Sequence, residues 1–134
     1  MPTITIKDQT TAGKTTGELT LDLLTETLTV RELIRSRVYQ EVEDYNLKQR
    51  AGVTDNFNGL VQPTGAEKTL NGFRLRTPRQ ISWKPQFEKA CEAFEQNGFL
   101  ILIDNHQAEN LDESITLRAD SQVGFLKLMP LVGG

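Results

Sequence analysis

The chain has 134 residues, 37% of them hydrophobic and 25% charged, the balance of a globular domain large enough to bury a core of its own. A net charge of −3 at pH 7 argues against non-specific nucleic-acid binding, which needs a basic surface. No stretch approaches the roughly 18 apolar residues of a membrane span, and residues 1–10 lack the basic region and apolar run of a secretory signal. The single cysteine, Cys91, has no partner for an internal disulfide. These features predict a cytoplasmic protein that does not engage membranes or nucleic acid.

Thr3-Ile4-Thr5-Ile6-Lys7 alternates β-branched residues and reads as a strand. Residues 10–17 are small and polar with two glycines, and residues 18–23 alternate polar and apolar again, so the opening is a hairpin. Ile4 and Ile6 should share a face with Leu19, Leu21 and Leu23. Ala12-Gly13-Lys14-Thr15-Thr16 superficially resembles a phosphate-binding loop. Position 8 is Asp where the spacing needs Gly, and no helix follows, so that reading is set aside.

A long helix is predicted over 30–49. Thr29 and Glu32 have the spacing of a capping box, in which each side chain satisfies the other's backbone N–H. Leu28 and Leu33 are placed to staple the entry. Val30, Leu33, Ile34, Val38 and Val42 fall on one helical face, and Arg31, Arg35, Glu41 and Asp44 fall mostly outside it. Residues 50–81 carry four glycines and two prolines and read as a long connection, with a short strand over 70–75. Arg74, Arg76 and Arg79 make a small basic cluster there, either a docking feature or a solvated loop.

Ser82 is a candidate N-cap for a second helix, Pro85 is tolerated in the first turn, and Phe87, Ala90, Cys91 and Phe94 lie at i, i+3, i+4, i+7. Asn97-Gly98 should end the helix, with Gly98 left-handed. Cys91 on that apolar face reads as a small hydrophobe rather than a nucleophile. Phe99-Leu100-Ile101-Leu102-Ile103 is a continuous apolar run and reads as a buried strand. Asp104-Asn105 is a turn, and residues 106–109 pair back. His106, the only histidine, is expected to be a surface polar residue, and one Cys with one His cannot make a closed zinc site. Residues 114–117 are extended, and a last strand runs over 122–129. Its alternation puts Val123 and Phe125 on one side and Leu126 and Leu128 on the other. Leu126 and Leu128 then form either a partner patch or a surface covered by the second helix through Phe87 and Phe94.

The order hairpin, helix, connection with a helix, strand, short elements, last strand predicts an α+β roll in which the last strand lies parallel beside the first. The run from Phe99 to Glu109, the stretch from Asp112 to Val123, and the ending Gly124-Phe125-Leu126-Lys127-Leu128-Met129-Pro130-Leu131-Val132-Gly133-Gly134 resemble the final third of the small sulfur carriers of molybdopterin and thiamine biosynthesis. The hairpin and helix match that family in order and length. The resemblance covers roughly residues 1–49 and 98–134 and implies one ubiquitin-like β-grasp domain over 1–134. On that fold, residues 50–97 are an inserted loop and second helix, and 130–134 a C-terminal tail.

The resemblance also implies a role as a substrate of enzymes rather than an enzyme. A partner activating enzyme spends ATP to adenylate the carboxylate of Gly134, the conjugation site, and no cofactor is intrinsic to the chain. Gly133 and Gly134 thread a narrow channel because they have no Cβ. Leu131 and Val132 anchor the tail, and Pro130 restricts it. The uncharged Pro130-Leu131-Val132 departs from eukaryotic ubiquitin, which has arginines before its glycines, and is similar to bacterial ubiquitin-like modifiers. The implied partners are an activating enzyme, a conjugating enzyme and a deconjugating protease, in a bacterial pathway. Some systems of this kind serve in phage defence, on which no residue here bears. Two alternatives stay open: a sulfur carrier with a C-terminal thiocarboxylate, and a non-covalent β-grasp adaptor in which the glycines are incidental.

Overall fold

The computed structural model describes residues 3–50, 60–61, 66–68, 73–75 and 81–128. They form an α+β arrangement of nine strands and two helices. A mixed five-stranded sheet has the order β2-β1-β9-β6-β7, from β1 (Thr3–Thr10), β2 (Thr15–Asp22), β6 (Phe99–Ile103), β7 (His106–Gln107) and β9 (Val123–Lys127). Two small antiparallel pairs join β3 (Thr27–Thr29) to β8 (Ser114–Thr116), and β4 (Ala66–Lys68) to β5 (Phe73–Leu75). Helix α1 spans Val30–Arg50 and α2 spans Trp83–Glu95. Two compact units result, one of Met1–Leu33 with Cys91–Gly134, the other of Ile34–Ala90.

In the first unit, β1 and β2 form the expected hairpin, with Ile4 opposite Leu21 and Ile6 opposite Leu19. The turn between them is closed by Thr10 N–H donating to the Lys14 carbonyl at 2.9 Å, with Gly13 at φ 86°, where glycine carries no Cβ penalty. The Gly13-Lys14-Thr15 stretch is thus a hairpin turn, not a strand-to-helix phosphate loop. The last strand lies where the pattern puts it: β9 runs parallel to β1, pairing Ile6 with Val123, and antiparallel to β6, pairing Ile101 with Phe125. Ile4, Ile6, Ile101 and Phe125 are completely buried, and Leu21, Val123, Phe99 and Ile103 nearly so. The Phe125 ring stacks on Phe99 with centroids 5.8 Å apart, and Phe99 meets Phe94 of α2 at 5.7 Å.

The α1 N-terminus is fully capped. Glu32 N–H donates to Thr29 Oγ1 at 3.2 Å and Thr29 N–H donates to Glu32 Oε1 at 3.3 Å, the reciprocal box that the sequence predicts. The next two amides, of Val30 and Arg31, donate to the carbonyls of Glu113 and Leu111 at 3.0 and 2.9 Å. The sequence carries no sign of this second pair of acceptors, because they are backbone groups some eighty positions away. Strand β3 ends at Thr29, so this threonine closes a strand as well as capping a helix.

At its other end α2 stops in a Schellman motif, with Gly98 N–H donating to the Ala93 carbonyl at 2.7 Å and Asn97 N–H to the Phe94 carbonyl at 3.1 Å. The left-handed residue is Asn97, at φ 60°, and not Gly98 as the sequence suggests. Gly98 stands one place later, where an added Cβ would lie 3.2 Å from the Ala93 carbonyl oxygen, so its role is close approach rather than positive φ. Asp104 and Asn105 both have positive φ, 49° and 70°, and turn β6 into β7 as predicted.

In the second unit, Ile34, Val38 and Val42 are buried along α1, and Tyr45 continues their row. Arg37 is buried among them, which the pattern did not foresee. Its Nη2 donates to Glu41 Oε1 at 3.4 Å, and both Glu41 oxygens accept the Leu60 N–H at 3.1 Å. A buried guanidinium needs such a partner, because removing either charge leaves the other desolvated. Pro85 falls in the first turn of α2, as expected, and Gln86 and Ala90 are buried there. The strand expected over 70–75 is β5, paired with β4 through Ala66 opposite Leu75.

Candidate functional site

Strand β9 sits in the interior of the five-stranded sheet, between β1 and β6. The β6–β9 ladder extends past the strand ends: Leu128 N–H donates to the Gly98 carbonyl at 3.4 Å. Leu128 is the last described residue, so Pro130, Leu131, Val132, Gly133 and Gly134 lie outside the described residues. The sheet therefore carries the chain to the start of the sequence that holds every tail position singled out above.

Alternation along β9 separates its two faces. Val123 and Phe125 are buried, whereas Gly124, Leu126 and Leu128 are half-buried. Leu126 is flanked by Leu100 of β6 and Gln9 of β1, and Gly124 by Leu102 and Lys7. Leu100 and Leu102 are half-buried as well. Leu100, Leu102 and Leu126 thus make an apolar row on the face of the sheet opposite Phe125. Toward β2 this face turns polar, with Lys7 opposite Glu18, and with Thr3 Oγ1 donating to Asp22 Oδ1 at 2.7 Å. At Gly124 an added Cβ would lie 3.2 Å from the Gln9 side-chain oxygen, so the absence of a side chain lets the Gln9 amide lie against the strand.

The predicted partner patch of Leu126 and Leu128 therefore belongs to a larger row, and Leu100 and Leu102 are the members that the sequence reading missed. A run of five apolar residues hides its own alternation and looks buried on both sides. The usable signal was positional: a turn at Asp104-Asn105 followed by a two-residue partner puts β6 next to a sheet edge, where one face is often only half covered. The alternative cover by α2 does not use Phe94, which packs on Phe99 and so lies on the Phe125 side.

Neither Cys91 nor His106 is a member of this row. Cys91 is buried, and burial raises its thiol above the ordinary value, outweighing the opposing pull of Arg31. It is a poor source of thiolate at neutral pH. His106 is exposed and its Nε2 lies 3.1 Å from Glu113 Oε2. Glu113 Oε1 also accepts the Glu109 N–H at 2.8 Å, and that bond, more than the contact with His106, holds the carboxyl below its usual range. Among the described residues no group of three or more His, Cys, Asp or Glu side chains could hold a metal ion. No helix among them is long and apolar enough to cross a membrane. The side chains of Arg74, Arg76 and Arg79 fall outside the described residues.

On the second unit, Trp83 receives the edge of Tyr39 at 5.7 Å and stands 6.2 Å from Phe87, with the Arg35 guanidinium 5.1 Å from its ring centre. Arg35 and Tyr39 are exposed and the two α2 rings half-buried, so α1 and α2 present a partly open aromatic cluster.

No family model matches the chain, and no curated protein or solved structure matches it either.

Proposed function

We propose that this chain is a ubiquitin-like β-grasp protein modifier whose Gly134 carboxylate is activated by a partner enzyme and conjugated to a target. The observation that carries the reading is the place of β9: an interior strand, parallel to β1, that leads through Leu128 into Pro130-Leu131-Val132-Gly133-Gly134. A hairpin, a long helix and a last strand beside the first are the features the β-grasp roll requires, and the capped start of α1 and the β1–β9 register accord with it.

The chemistry explains the tail. A carboxylate anion is a poor electrophile. One Gly134 oxygen attacks the α-phosphorus of ATP, pyrophosphate leaves, and the acyl-adenylate so formed is open to attack. A thiolate of the activating enzyme displaces AMP to give a thioester, from which an amine of the target takes the acyl group. Gly133 and Gly134 suit a narrow passage to the nucleotide. The apolar row of Leu100, Leu102 and Leu126, extended by Leu128, is the surface against which the activating enzyme docks while the tail is threaded. That row also favours a second reading, a non-covalent adaptor, because it offers a docking face with no need of the tail.

The deciding experiment has two parts. Intact mass spectrometry of the protein recovered from its own cells should show a mature chain ending at Gly134, in part joined to other proteins. Replacement of one terminal oxygen by sulfur would point instead to a sulfur carrier. Pyrophosphate exchange with the cognate activating enzyme should be abolished by deleting Gly134. Equal exchange by the deleted and intact chains would refute the reading.

A further inference from the structure

We draw no further inference here: the strongest candidate, the aromatic cluster that Arg35 and Tyr39 of α1 form with Trp83 and Phe87 of α2, is partly exposed, but nothing in the structure shows what covers it.

Discussion

Asn46 pairs with both backbone polar groups of Ile81: its Oδ1 accepts the Ile81 N–H at 2.9 Å and its Nδ2 donates to the Ile81 carbonyl at 3.0 Å. One side-chain amide on α1 thereby does for Ile81 what a neighbouring strand would do, just before α2 begins. Asn46→Ala removes both bonds and leaves two half-buried backbone groups to find water. The expected loss is about 1–2 kcal/mol, because each such bond contributes roughly 1 kcal/mol net. Urea denaturation reads it as a lower midpoint with an unchanged slope. An unchanged midpoint would mean that this clamp contributes nothing.

Glu113 gives a pH dependence of known sign. Its carboxyl is held below the ordinary 4.5, first by the Glu109 N–H and then by His106. A depressed carboxyl stabilises the fold fully above the unfolded value and loses that contribution as pH falls through the folded one. Glu113→Gln should therefore lower stability at pH 7 and leave the variant and the parent closer together at pH 3. Urea midpoints at the two pH values test this. A gap of the same size at both would show that the carboxylate charge is not what closes the 109–113 loop.

The end of α2 offers a stabilising change. Asn97 sits at φ 60°, a conformation that costs an L side chain about 1 kcal/mol and costs glycine nothing. Asn97→Gly should raise stability by roughly 0.5 kcal/mol, after the greater freedom that glycine gains in the unfolded chain is subtracted. Gly98→Ala should act the other way, because its Cβ would press on the Ala93 carbonyl oxygen, a backbone atom that cannot swing aside. Thermal midpoints of the two variants should move in opposite directions. Two shifts of the same sign would contradict this account of the cap.

How much of this was legible depends on the range of the interaction. The Thr29–Glu32 box, the Asp104-Asn105 turn and the alternation of Ile4, Ile6, Leu19 and Leu21 are set by residues a few positions apart, and the sequence displays them. The parallel pairing of β9 with β1 followed from the order of elements. What escaped needed distant partners. Arg37 can be buried because Glu41 accepts from it and the distant Leu60 amide, donating to the same carboxylate, holds Glu41 in place; a charge on a helix otherwise reads as solvated. The amides of Val30 and Arg31 are met by carbonyls of 113 and 111, which any residue could supply. Asn97 took the left-handed place because the helix ends one residue earlier than a glycine cap would require. In the candidate site, Leu126 and Leu128 stood out because Gly124 and Lys127 interrupt the apolar run of the last strand and so make its alternation visible. Leu100 and Leu102 were masked by their own apolar neighbours.

On the proposed function, the apolar row and the tail make separable predictions about activation. Leu100 and Leu126 are cross-strand neighbours, half-buried, on the face opposite Phe125. A carboxylate at either position stays within reach of water, so Leu126→Asp should fold, with a far-ultraviolet spectrum like that of the parent. Against an apolar partner surface the same carboxylate must be desolvated, which costs a few kcal/mol. Because the row binds equally before and during adenylation, the loss should fall on KM, by about tenfold or more, with kcat nearly unchanged. Deleting Gly134 acts differently. It draws the carboxylate back by about 3.5 Å, one residue of extended chain, so saturating protein should not restore exchange. Leu131→Asp should resemble the row variants, by placing a charge in an apolar groove. Steady-state pyrophosphate exchange with the four proteins separates these cases. A Leu126→Asp variant that folds and keeps the parent KM would remove the row from the binding surface, while the Gly134 deletion would still report on the tail.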